Sequence, residues 1–465
     1  MDAVDAVLAR MRADQGVARD RAVDADVDEA VAASPAALAR ERAAMRALAG
    51  TFREETEDAL GRRWYAHFER WLCARRDATR DGDAIPSAKR RDARDGGLAR
   101  SLAKAGRTTG EMATTTRRLA RAAAKARANA SARASDGRKN RVRARRIEVG
   151  GNGKRAEKVE LTCGKATLEL NLRHYETLKT RWRGDARRDE DGFHRAVFCV
   201  VARYATLQGT HYKAGNMQAA IPPRVFETLE KRFDVRCELF ASPLNAHFKE
   251  FCSASAMTDR AFGSLGNAFD FEPSEGSFEC NPPFDEEIIS RLAGHVERLL
   301  SRAKKPLSFF VVVPLWHDSR GWMRLAKSVY CVSNTTLEAK EHAFVSGAQH
   351  SRIDQLTPSA APMSVLFLQN KAGEKKWPVT PEGVAAIREA FAPPKKEAER
   401  VEKWDPDATS WSCSRRLPKD ANSWVYKNKK RDQSVDESPA KKTRFGLSCA
   451  RSCRSTTSSA CTGWP

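Results

Sequence analysis

Gly276-Ser277-Phe278-Glu279-Cys280-Asn281-Pro282-Pro283-Phe284-Asp285 is the stretch on which the reading of the fold turns. Gly276 to Cys280 is an apolar run carrying an aromatic, and from Asp285 to Leu300 the apolar spacing is helical. A strand that turns directly into a helix is predicted. In open α/β sheets, ligands bind outside the carboxyl ends of the strands. Two consecutive prolines fix φ and remove two backbone donors, while their carbonyls stay free to accept. The Asn281 amide beside them completes a rigid group of acceptors, and Phe284 offers a flat apolar face. A purely structural Asn-Pro turn accounts for the same four residues, so the surrounding sequence has to separate the two readings.

Outward from this turn the pattern is α/β. Cys237 to Ala241 reads as a strand opening into the small, polar turn Ser242-Pro243-Leu244-Asn245. Leu307 to Val313 reads as a continuous buried strand of the parallel type, and Met363 to Leu368 as a late strand. Strands alternating with helices predict an open, helix-covered, Rossmann-like sheet over 234–392. Before it, over 155–233, Val159–Thr162 and Thr167–Leu172 alternate around Cys163-Gly164-Lys165 as a hairpin. Helical patterns follow from His174 to Trp182, His194 to Leu207 and Val225 to Phe233.

Residues 1–85 read as a helical segment, with Trp64, Phe68 and Trp71 on one face. That face is either packed or an aromatic platform for RNA. Residues 86–150 are dominated by Ala, Arg and Lys without aromatics, and read as a low-complexity basic arm that contacts phosphates or is simply solvated. Past 393 the chain turns polar, and Lys427 to Arg431 with Lys441 to Arg444 resemble a bipartite nuclear signal.

With 465 residues the chain can hold two or three domains, and its net charge of +22 implies an anionic partner, nucleic acid before a membrane surface. No apolar run is long enough to cross a bilayer, and the N-terminus lacks the pattern of a signal peptide. The eleven cysteines are scattered without a Cys-x-x-Cys. No metal is expected, and a reducing compartment is.

Three elements stand in the order that an S-adenosylmethionine-dependent amino-methyltransferase needs. Phe240, Ala241, Ser242, Pro243 and Asn245 form a strand end where backbone can approach a cofactor. Asp270, in Asn267-Ala268-Phe269-Asp270-Phe271, supplies a carboxylate for an adenine amine or a ribose. Asn281, Pro282, Pro283 and Phe284 supply the reacting turn, the layout of enzymes that methylate nucleobase nitrogens. No glycine-rich dinucleotide fingerprint is present.

From about His174 to Thr380 the chain resembles the phosphorylated-CTD-interacting factor family of cap-specific adenosine methyltransferases. The resemblance is carried by Phe240 to Asn245, Phe262-Gly263-Ser264, Gly276 to Glu279 and Asn281 to Phe284. It continues through Pro306 to Phe309, Pro314-Leu315-Trp316, Glu341-His342, Ser346 to His350 and Val365 to Asn370. It implies a nuclear enzyme that moves a methyl from S-adenosylmethionine to N6 of the 2′-O-methyladenosine beside the cap of an mRNA. It also implies a helical domain that helps to shape a cap groove. Glu286 and the turn Trp316-His317-Asp318-Ser319-Arg320 are placed beside the substrate by the same resemblance, with Glu286 equally readable as a first-turn acid that stabilises a helix dipole. Glu341 and His342 are taken with them, against the alternative that His342 and His350 are buried core histidines, as Trp316 too can be simple core.

Two departures stand out. The family's animal members carry an N-terminal WW module, but no tryptophan precedes Trp64, its spacing to Trp71 is too short, and Trp404 and Trp424 lack the central aromatic pair. RNA polymerase II machinery is therefore a partner expected without that module. The second departure is the acid pair Asp285 and Glu286 directly after Phe284, placed to select among cap-proximal groups. Two other readings compete: an adenine-N6 methyltransferase acting at internal RNA or DNA sites, and a catalytically silent RNA-binding homologue.

Overall fold

The computed structural model describes residues 34–75, 84–86, 96–131, 141–151, 154–211, 214–351 and 356–393. The tail beyond 393, with both basic clusters, and residues 1–33 lie outside the described residues. The central sheet uses β4 (Val235–Ala241), β5 (Glu250–Ser253), β6 (Gly276–Cys280), β7 (Leu307–Pro314), β8 (Cys331–Leu337) and β11 (Met363–Gln369). Their order is β5-β4-β6-β7-β11-β8. β4 pairs parallel with β5 and β6, β6 pairs parallel with β7, and β11 runs antiparallel to β7 and β8. β7 is buried at all eight positions, which is why it reads as an unbroken apolar run. From β4 the chain passes to β5 on one side and then to β6 on the other. Strand order therefore reverses between β4 and β6, opening a crevice beyond their carboxyl ends.

Both faces of this sheet are covered. On one, α9 (Glu286–Arg302) sets Ile289, Leu292 and Val296 in a core with Phe278, Phe309 and Val311. On the other, α7 (Pro223–Phe233) and α12 (Pro381–Phe391) pack Val225, Leu229, Phe233, Ile387 and Phe391 with Val312 and Phe367. The expected mixed α/β, Rossmann-like sheet is present. Shorter pieces complete it: α8 (Ala256–Asp259), α10 (Arg320–Ala326), α11 (Lys371–Lys376), and a small pair of β9 (Ala343–Val345) with β10 (Leu356–Pro358).

The hairpin expected before the sheet is larger than the sequence suggests. β2 (Lys154–Cys163) and β3 (Ala166–Asn171) are joined by β1 (Arg143–Gly151) in a three-stranded antiparallel sheet. It shares a core with α5 (Leu172–Arg181) and α6 (Glu190–Leu207), where Leu161, Leu170, Phe193 and Phe198 are buried.

The helical N-terminal region holds α1 (Pro35–Leu60), α2 (Trp64–Arg75), α3 (Gly96–Lys104) and α4 (Thr109–Ser131). Here the reading of 86–150 as a basic arm with too little apolar surface to fold is corrected for its described residues. Leu98 and Leu102 of α3, and Leu119, Ala123 and Ala126 of α4, are buried in one cluster with Met45, Phe52, Phe68 and Trp71. An alanine-rich helix has little apolar surface of its own, but its small side chains allow close approach to a neighbour that carries the aromatics. Trp64, Phe68 and Trp71 are spent on that core, so the packed-face reading holds and the exposed aromatic platform does not.

Candidate active site

The crevice at the strand switch is a cavity of about 900 Å³ including its open mouth. Leu239, Phe240 and Ala241 at the end of β4 form one wall, with Asn245 from the following turn. Ser253 and Ala254 at the end of β5, and Asn267, Ala268 and Phe269, form a second. Asn281 and Pro283 after β6, with Ile288 of α9, form the third. The roof comes from elsewhere: Glu69 and Cys73 of α2, Leu207 at the end of α6, and Met217, Gln218 and Ala219.

Asn281 is 8% exposed. Its Nδ2 donates to the carbonyl of Ala219 at 2.8 Å, while its Oδ1 is buried with no partner among the described residues. The first contact fixes which end of the amide faces the site. Leaving a buried acceptor unmade costs about 1–3 kcal/mol, so the geometry favours a ligand that brings a donor. The carbonyl of Pro283 accepts from the backbone of Asp285 at 2.7 Å, and that of Pro282 has no such donor among the described residues. Asp285 is the N-cap of α9, its carboxylate accepting from Glu287 N at 3.0 Å and Ile288 N at 3.2 Å. Capping replaces the cap-selecting role expected for that acid.

The turn 242–245 is held from within. Ser242 Oγ donates to Asn245 Oδ1 at 2.6 Å, and Asn245 Nδ2 donates to the carbonyl of Gln218 at 3.3 Å. Phe240, Ala241 and Asn245 thus face the cavity, and Ser242 shapes the turn behind them. Pro243 is not part of the lining.

Two residues expected at the site lie outside the cavity lining. Asp270 is exposed and outside the lining; its neighbours Asn267 to Phe269 take the place expected for it, because Asn267 Oδ1 accepts from Phe269 N at 2.9 Å and folds the loop inward. Phe284 is half-buried, lies outside the lining and meets Phe344 edge-on at 6.0 Å in the core beneath the turn.

The residues proposed for the substrate divide. Glu286 bridges two helices, its Oε1 accepting from Gly321 N at 3.1 Å and Ser290 Oγ at 3.3 Å. Its Oε2 is buried without a partner among the described residues. Trp316 is partly buried against the sheet core, His317, Asp318 and Arg320 are exposed, and Ser319 caps α10 through Trp322 N at 3.1 Å. They follow β7 and lie outside the cavity lining. Glu341 is exposed near Arg388, and His342 is wholly enclosed, with Nδ1 against the Glu338 carbonyl at 2.8 Å. Burial pushes His342 down to about 4, so it stays neutral. Glu341 lies outside the cavity lining, and His342 is enclosed in the core.

Sequence reasoning missed the roof. Glu69 is 2% exposed and accepts from Gly215 N at 3.1 Å, Asn216 N at 3.1 Å and Met217 N at 2.9 Å. An acid in a helix that carries three aromatics was the available signal. Ser346 to His350 works behind the same turn. A Cβ on Gly347 would sit 2.3 Å from the Gly215 carbonyl, and Gln208 Nε2 donates to the Gly347 carbonyl at 3.0 Å. Beneath the site, Glu238 and Glu279 face each other on adjacent strands. Burial raises both, Glu238 to about 7 and Glu279 well above the usual carboxylate range.

Residues 175–347 match the family model described as the Phosphorylated CTD interacting factor 1 WW domain. The matched stretch runs from helix α5 through most of the Rossmann-like sheet, whatever module that description names. Two relatives, from Mus musculus and Homo sapiens, are each 39% identical to the chain over 211 residues, 44% of this chain and 30% of their own length. Both are named mRNA (2′-O-methyladenosine-N(6)-)-methyltransferase. The resemblance read from the peptides is shown over this stretch, and the match spans less than a third of the relatives' length.

Proposed function

We propose that the protein is a methyltransferase acting on N6 of the 2′-O-methyladenosine adjacent to the cap of mRNA, with S-adenosylmethionine as methyl donor. One observation carries this reading: the buried, partnerless Oδ1 of Asn281, held at the mouth of a strand-switch crevice by Nδ2 on Ala219. A nucleobase amine is a weak nucleophile because its lone pair delocalises into the ring. Acceptance of its hydrogens by Asn281 Oδ1 and the Pro282 carbonyl favours a tetrahedral nitrogen with a localised lone pair. That is positioning and charge stabilisation, and it needs no strong base.

The cofactor fits the walls on the β4 and β5 side. Phe240, Ala241 and Asn245 would lie along it, with the backbone and side chains of Asn267 to Phe269 at its far end. When bound, S-adenosylmethionine supplies an electrophilic methyl group on a sulfonium. Glu286, with a buried oxygen still free, suits the donors of a cationic 7-methylguanine, and Trp316 suits its ring.

The names of the relatives support the mRNA substrate, and the family description supports contact with the transcription machinery. Nuclear residence belongs to the same reading, supported by the basic clusters at Lys427 to Arg431 and Lys441 to Arg444. The test is label transfer from S-adenosylmethionine to RNA starting with capped adenosine, to the same RNA uncapped, to the cap lacking the 7-methyl, and to duplex DNA. Transfer confined to the 7-methylated cap is expected. Equal rates on capped and uncapped RNA would overturn the cap reading in favour of internal sites.

A further inference from the structure

We infer that Glu69, from the helical N-terminal region, is a positioning residue for Asn281. The connection is continuous and short. The two carboxylate oxygens of Glu69 accept three successive backbone N–H groups, from Gly215, Asn216 and Met217, at 2.9 to 3.1 Å. The next two residues turn their carbonyls the other way. Gln218 accepts from Asn245 Nδ2 at 3.3 Å and Ala219 accepts from Asn281 Nδ2 at 2.8 Å. One buried carboxylate therefore holds the turn whose far side orients an amide on each of two walls of the cavity.

The turn has little other freedom. Gly215 sits at φ +111°, in the left-handed region that favours glycine, and a Cβ there would lie 2.9 Å from Ala348 N. Gly347 presses on the opposite side, and Ala220 bridges to Val345. Glu69 supplies the charge that the three aligned N–H dipoles attract, and charge-assisted bonds of this kind are about twice as strong as neutral ones. Its side chain also lines the cavity. The helical region is thus part of the site's construction, and the sheet domain without α2 lacks the anchor of this turn.

The kinetic arm of the test rests on the methyl-transfer reading; the exchange arm does not. In the full chain, Glu69→Gln keeps the shape but replaces one acceptor with a donor facing an N–H. Amide hydrogen exchange over residues 214–219 should rise about tenfold, as expected for losing about one charge-assisted bond's worth of protection. Turnover on capped RNA should fall about 100-fold, the scale of an ångström-level misplacement, with KM for the methyl donor within a few-fold of wild type.

Glu41→Gln is the control, because Glu41 is a second carboxylate of the helical region that ties to the sheet side, through Arg203 at 2.9 Å on α6, away from the cavity. It should lower Tm without changing kcat. Unchanged exchange at 214–219 in Glu69→Gln would overturn the proposal, as would an equal fall in kcat in both variants. If the wild type transfers no methyl to capped RNA, the functional reading fails, and exchange alone then decides whether Glu69 holds the turn.

Discussion

The side chain of Asn281 is divided in its duties: Nδ2 is fixed on the carbonyl of Ala219 at 2.8 Å, and Oδ1 is buried and left for something else. The two residues lie on different elements, 62 positions apart. Their contact turns a common Asn-Pro turn into a directed acceptor.

Replacing Asn281 by Ala removes that acceptor and strands the Ala219 carbonyl. Turnover should fall about 10²- to 10³-fold, the scale of losing one aligned group that stabilises developing charge. Affinity for the methyl donor, measured by calorimetry, should stay within a few-fold of wild type. Near-normal turnover would remove Asn281 from the chemistry.

Helix α4 exposes Arg117, Arg121 and Lys125 at i, i+4 and i+8, while Arg118 is paired with Glu55 at 3.0 Å. Like charges at this spacing destabilise a helix by a few tenths of a kcal/mol, which a phosphate chain would relieve. Changing all three to Gln should leave short-cap turnover unaltered and weaken binding of long RNA. The slope of log affinity against log salt should fall by about 2. Identical salt slopes in variant and wild type would mean that the stripe is only solvated.

Gly347→Ala puts a methyl 2.3 Å from the Gly215 carbonyl and 2.5 Å from Gln218 Cβ. Overpacking of this kind costs about 1–3 kcal/mol. Thermal unfolding should move down by several degrees, and turnover should drop with it because the displaced turn carries Ala219. A variant with unchanged Tm would show that the turn yields freely.

Glu238 gives a pH test. Its carboxylate accepts from His247 N at 2.7 Å and Phe248 N at 2.9 Å, yet burial outweighs these and raises it from the ordinary 4.5 to about 7. The folded state therefore holds a proton that the unfolded state releases between these values, and stability from this group is full below pH 4.5 and lost as pH rises through 7. Glu238→Gln mimics the protonated form. Its unfolding free energy relative to wild type should be higher at pH 8.5 than at pH 5, by an amount on the order of 3 kcal/mol. A difference between the two proteins that does not change with pH would mean that Glu238 stays ionised.

The elements of the sheet were legible because each is written in consecutive residues. Leu307 to Val313 reads as the buried strand that becomes β7, and Gly276 to Asp285 reads as a strand turning directly into a helix. Asp270 was chosen for its charge, but a loop decides by its backbone which side chain faces inward, and Asn267 makes that choice. His342 and Glu341 sit in a peptide shared with the family, yet one is core and the other surface. A shared peptide records constraint without telling whether packing or contact imposed it.

The sequence by itself determined the alternation of strands and helices, the acceptor-rich turn after β6 and the chain's net charge of +22, because period, proline stereochemistry and charge are local properties. Only the tertiary structure decided that α3 and α4 fold, since the few leucines of both and the small alanines of α4 become core against the aromatics of α1 and α2. It alone also decided the site's roof: Glu69 meets Gly215 across 146 residues, and Ala219 meets Asn281 across 62. Such contacts leave no periodic trace, because each is a single pairing of remote groups whose geometry exists only after the helical region has packed onto the sheet.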